Sequence, residues 1–236
     1  MLKRTLDWLL ARASYVLLLG GIQYLVLSTI AMALYPGGTK YDPTTNGYLF
    51  WNNMISDMGR TVAHDGEPNT ISCALFITAM CILAVAFVPF YISLSKQFSG
   101  NTRINRFACI AALLGIGTGV LLALAASFPQ DLFPQLHLRL AQLSFVALVP
   151  SIVIYWWLMR GDARFPCPCA KVFLALAIII LSGIGVTIAS GSGIDVVIVT
   201  VQATTQKIMV YGWNACMPVM AWCLWDKKAI KKENVP

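Results

Sequence analysis

Apolar positions along this chain come in long unbroken runs, not in alternation or as a one-sided stripe. Six runs stand out, at about 14–35, 69–94, 107–127, 137–159, 171–190 and 206–225. Each is close to the roughly 20 apolar residues that a helix needs to cross a bilayer. Lipid offers no partner for backbone N–H and C=O groups, so such runs are predicted to be helices. The pattern therefore predicts an all-α polytopic membrane protein, six spans in a single domain, with a short tail at 226–236. The longest polar interval, 36–68, becomes a long first loop. The amphiphilic, β-branched segment 195–205 fits three readings: an extension of the sixth helix, an interfacial stretch, or a short re-entrant piece.

Composition agrees. Of 236 residues, 58% are hydrophobic and 11% charged, where soluble domains carry about a quarter charged. That excludes an ordinary soluble enzyme, and a disordered chain as well. The net charge of +7 reads as topology and not as a nucleic-acid footprint, because the basic residues flank the apolar runs. Lys3, Arg4, Arg12, Lys96, Arg103, Arg106, Arg160, Arg164, Lys171 and the tail residues Lys227, Lys228, Lys231 and Lys232 fall on one side. Only Lys40, Arg60, Arg139 and Lys207 fall on the other. Positive loops stay in the cytoplasm, which predicts a cell-membrane protein with both termini inside and the 36–68 loop outside. The first apolar stretch exceeds the roughly 7 to 15 residues of a signal-peptide core, which favours an uncleaved anchor.

Within the runs, Gly115, Gly117 and Gly119 in the third and Gly183 and Gly185 in the fifth suggest close helix packing. Pro89, Pro150 and Pro218 are expected to bend the second, fourth and sixth helices. The seven cysteines are odd in number and avoid the long loop, so no disulfide framework is expected. Cys167-Pro-Cys169 reads as reduced thiols at a helix entrance, with metal binding or lipidation as the sharper alternatives.

The polar residues with chemical potential gather towards the outer side. In the long loop, Asn53 and Asp57 are four apart and share a face if the piece is helical, with Ser56 beside them; capping a turn is the plainer role. Asp131 follows the third helix, and His137 and Arg139 begin the fourth. Gln206 and Lys207 open the sixth, with Asn214 further along the Lys207 face. Asp57 and His137 are the candidate catalytic pair, His137 as proton shuttle oriented by Asp57. Asn53, Ser56, Asp131, Arg139, Gln206 and Lys207 are the candidate binding residues. Lys207 and Arg139 either hold an anion or snorkel to headgroups. His64-Asp65-Gly66-Glu67 reads as a solvated turn. No metal site and no cofactor is expected.

Asn53-Met-Ile-Ser56-Asp57-Met-Gly59, then Phe128-Pro129 with Asp131, then His137 at the head of the next span, resembles the family catalogued as domain of unknown function number 998. Gln206-Lys207 is similar to the Gln/Arg-basic pair of that family. Ser-Asp-x-Gly before the second span is also similar to the Frag1, DRAM and Sfk1 group of six-span proteins. That second resemblance implies lipid-linked or membrane-trafficking roles without a settled chemistry. With only His64 and His137, the chain lacks the histidine set of membrane metal-dependent hydrolases. The expected function is a pocket on the extracytoplasmic side that binds or processes a lipid headgroup or small amphiphile. The expected partners are membrane lipids. A small proton-coupled transporter and a non-catalytic membrane scaffold are the alternatives.

Overall fold

The structure is a computed structural model that describes residues 2–191 and 193–233, with side chains described over 7–191 and 193–224. It contains seven helices among the described residues: α1 (Leu2–Ala11), α2 (Ala13–Ala33), α3 (Thr70–Lys96), α4 (Thr102–Ser127), α5 (Pro134–Arg160), α6 (Cys167–Ala189) and α7 (Val196–Glu233). A five-residue 3-10 helix, Ile55–Gly59, lies in the connection between α2 and α3. No strand occurs among the described residues, only the isolated bridges Gly37 to Asn46 and Val62 to Pro68. Five helices, α2 to α6, are long and apolar enough to cross a membrane. The side chains of Lys3 and Arg4 and of the tail lysines lie outside the described residues.

Local sequence signals account for the helix ends. Asn101 caps α4, its side-chain oxygen accepting from Arg103 N–H at 2.9 Å and Ile104 N–H at 3.2 Å. Pro134 occupies the first turn of α5, where its missing N–H is not needed. The open segment 195–205 resolves as the beginning of α7, because Asp195 accepts from Val197 N–H at 2.8 Å and nucleates the helix there. Val199 and Ala203 turn inward from this extension. α1, which precedes the first apolar run and was not expected as a helix, is held to α3 where Ser93 Oγ donates to Leu10 O at 3.1 Å. Pro89, Pro150 and Pro218 all lie inside continuous helices.

Among the described residues each of α2 to α7 packs against its neighbour in sequence, and α7 closes the arrangement by packing on α2. Large apolar side chains point outward as well as inward: Leu113 is 71% exposed and Val85 69%. An outer surface as apolar as the core calls for lipid around it. Between helices, small residues allow close approach. A Cβ on Gly115 would fall 2.2 Å from the Tyr91 ring, and one on Gly183 2.3 Å from Met209 Sδ. Gly117 and Gly185 face open space, so only part of each glycine set serves packing. Polar side chains join α4 to α5: Ser151 Oγ donates to Ala111 O at 2.7 Å and Tyr155 OH to Ala108 O at 3.1 Å. Such bonds replace the hydrophobic drive that lipid removes between spans.

The thiol expectation is corrected. Cys169 of α6 and Cys223 of α7 form a disulfide, while Cys167 is free and exposed. The partners stand 54 residues apart in sequence on helices whose adjacency the sequence does not reveal.

Candidate functional site

The connection at 34–69 is folded down by its own polar side chains. Gly38 adopts a φ of 78° and a Cβ there would meet Asp65 N at 2.4 Å, so glycine lets the two ends of the loop touch. Asn53 has no exposed surface. Its Nδ2 donates to Gly38 O at 2.8 Å and its Oδ1 accepts from Leu49 N–H at 2.9 Å. One amide thus ties three stretches of backbone together.

Asp57, also buried, accepts from Met54 N–H at 2.8 Å and from Asn53 Nδ2 at 3.3 Å through Oδ2. Oδ1 faces His64 Nε2 at 3.2 Å. Asn53 and Asp57 are not on one α-helix: only Ile55–Gly59 is helical, of the 3-10 type, and Asn53 reaches Asp57 across its start. His64 donates its own backbone N–H to Tyr35 OH at 3.1 Å. The solvated-turn expectation therefore fails for His64, which is drawn in by the carboxylate. The sequence signal was nearness: His64 follows Asp57 in the same loop, with Gly59 between them.

Lys207 is 2% exposed. Its ammonium donates to Asn53 O and to Ala203 O, and lies over the rings of Tyr48 and Phe50 at 5.4 and 5.2 Å. Gln206 Oε1 accepts from Ile55 N–H at 2.7 Å. This adjacent pair on α7 therefore holds the first loop by its backbone. On the other flank Asp131 accepts from Thr61 N–H, Thr61 OH and Val62 N–H. Burial acts to raise its pKa, but the hydrogen bonds from Thr61 and Val62 outweigh it and hold the carboxyl below the usual carboxylate value.

His137 stands apart from Asp57, and no hydrogen bond joins them. Its Nδ1 meets Ala125 O at 2.8 Å and Phe128 O at 3.1 Å, closing the end of α4. Arg139 is exposed on α5 and has no hydrogen bond or ion pair among the described residues. Asn53, Asp57, Gln206 and Lys207 are thus brought together, Asp131 anchors the same loop from α4's end, and Arg139 joins neither group.

Beneath the 3-10 helix lies a small, partly open cavity of about 80 Å³ bounded by α2, α3, α4, α5 and α7. The wall is mainly apolar, with Tyr24, Phe76, Leu83, Ala126, Phe145 and Trp213 among its residues. Ser56, His137, Gln206 and Asn214 supply polar groups, and Tyr24 and Trp213 add a hydroxyl and an indole N–H. Ser56 Oγ also donates to Gln130 Oε1 at 3.4 Å. A few polar groups in an apolar concavity is the kind of lining a small-ligand site has. Among the described residues no group of three or more His, Cys, Asp or Glu side chains is placed to hold a metal ion.

An all-helical chain with an apolar exterior and several membrane-length helices defines a multi-pass membrane protein. The family model described as Frag1/DRAM/Sfk1/Cwh43P N-terminal domain matches residues 8–211, and the chain belongs to that family. No curated protein and no solved structure matches it.

Proposed function

We propose that the protein binds a small amphiphile, a lipid or its headgroup end, in the cavity beneath the 3-10 helix. On this reading α7 is a sixth span, the 34–69 connection faces away from the cytoplasm, and both termini lie on the cytoplasmic side of the cell membrane. The observation that carries the proposal is the cavity itself: an apolar chamber, open at one side, with Ser56, His137, Gln206 and Asn214 in its wall. Its contact surface suits an alkyl chain, and the bilayer around it supplies such ligands at high concentration.

Binding is favoured over processing. The candidate acid-base pair is divided: Asp57 faces His64, and His137 has one ring nitrogen committed to the end of α4. Asn53, Asp57 and Lys207 serve the scaffold alternative best, since their hydrogen bonds go to the loop's own backbone. We therefore read them as the frame that holds Ile55–Gly59 over the cavity, not as ligand contacts.

The test is mass spectrometry of lipids retained by the purified protein. Ala141→Trp, which fills the cavity from α5, is expected to remove a lipid species retained by the wild type. Asp57→Asn should retain it while melting at lower temperature. Identical lipid profiles for the wild type and Ala141→Trp would defeat the proposal.

A further inference from the structure

We propose that the cavity selects an uncharged amphiphile bearing a hydrogen-bond donor, a lipid alcohol in preference to a phospholipid. The inference rests on the cavity reading above and specifies its ligand.

The first ground is charge. No Lys, Arg, Asp or Glu lines the cavity. Lys207 adjoins Gln206 in sequence, yet its ammonium is turned to Asn53 O and to the faces of Tyr48 and Phe50. An anion drawn into the chamber would lose its water without meeting a counter-charge, which is prohibitive in an apolar space.

The second ground is the kind of polar group left over. Asn214 donates through Nδ2 to Val210 O at 3.0 Å. Its Oδ1 is buried without a hydrogen-bond partner among the described residues, and the residue is only 9% exposed. His137 must carry its proton on Nδ1, because Ala125 O and Phe128 O can only accept. In the tautomer with its single proton on Nδ1, the ring offers Nε2 as an acceptor. Gln206 Oε1 is already engaged by Ile55 N–H. Asn214 Oδ1 and His137 Nε2 therefore lack donors, while the Tyr24 hydroxyl and the Trp213 indole N–H belong to residues of the same wall. A hydroxyl can donate to the first kind of group and accept from the second, whereas an ionised phosphate or carboxylate can only accept. Eight residues of helix place Asn214 about 12 Å below Gln206, so its carbonyl is met by the part of the ligand that enters deepest.

The experiment compares three probes that share one dibrominated C18 chain: the monoacylglycerol, the methyl ester and the lysophosphatidate. Each is titrated into the full chain in nanodiscs, reading the part of tryptophan quenching that Trp213→Phe abolishes. The monoacylglycerol is expected to bind at least about tenfold tighter than the methyl ester, which corresponds to about 1.4 kcal/mol, the scale of one hydrogen bond. It should also bind tighter than the lysophosphatidate. Asn214→Leu should bring monoacylglycerol and methyl ester to parity by weakening the first alone. Equal binding of all three, or strongest binding of the phosphate, overturns the inference and leaves the cavity reading standing. No quenching of Trp213 by any probe overturns both. If Asn214→Leu does not fold, the three-probe comparison on the wild type still decides.

Discussion

Asn53 satisfies Gly38 O and Leu49 N–H while its own carbonyl receives Lys207 and Tyr48 OH. Asn53→Ala strands two buried backbone groups, each costing about 1–3 kcal/mol when left unpaired. A loss of about 2 kcal/mol or more is expected in a denaturation midpoint series. Arg139→Ala, at an exposed residue without a partner among the described residues, should stay within about 0.5 kcal/mol. The Asp131 clamp on Thr61 and Val62 has a definite pH signature. Its folded pKa is depressed below the unfolded value of about 3.9. The stabilisation is therefore complete above that value and is lost as pH falls through the lower, folded one. Melting curves taken from neutral pH into strong acid should show a steeper loss for the wild type than for Asp131→Asn, and equal slopes would contradict the assignment. At this scale the sequence was half legible. It named Asn53, Asp57, Gln206 and Lys207 among candidates that also included Ser56, Asp131, His137 and Arg139. It paired Asp57 with His137, whereas Asp57 faces His64, which follows it in the same loop.

Among the helices, the glycines of α4 separate two roles that look identical in sequence. Gly115 faces the ring of Tyr91 from the adjacent span, and Gly117 faces open space. Gly115→Ala should cost about 1–3 kcal/mol through overpacking. Gly117→Ala should be neutral or stabilise by about 0.5–1 kcal/mol, since alanine is the better helix former. Thermal stability in a fixed detergent distinguishes them, and equal shifts would sink the packing assignment. The spans α2 to α6 were legible because a bilayer-length apolar run has few other stable fates. The start of α7 was not: 195–205 is β-branched, and what makes it helical is the Asp195 cap together with the inward turn of Val199 and Ala203. The helix in the first loop starts too late for Asn53 and Asp57 to share one of its faces, since Asp57 bonds back to Met54 N–H and fixes the start at Ile55.

Across the whole molecule, the disulfide joins the start of α6 to α7 at the end remote from the 34–69 connection. In the proposed topology that end faces a reducing compartment, in which disulfides seldom persist. Cys169 and Cys223 are, however, 0% and 1% exposed, which denies thiol reagents a path to them. Protein denatured in excess alkylating reagent without reductant should take up five labels, and seven when reduced first. Seven before reduction would place both residues as free thiols. Helix order has a further consequence. Each span docks on the one made before it, and only α7 returns to the beginning by packing on α2. During synthesis the trough between the earlier helices therefore stays exposed to the bilayer until α7 arrives carrying Gln206, Trp213 and Asn214. On the proposed function, the membrane where translation occurs supplies the first occupant, and the open mouth lets that occupant exchange later.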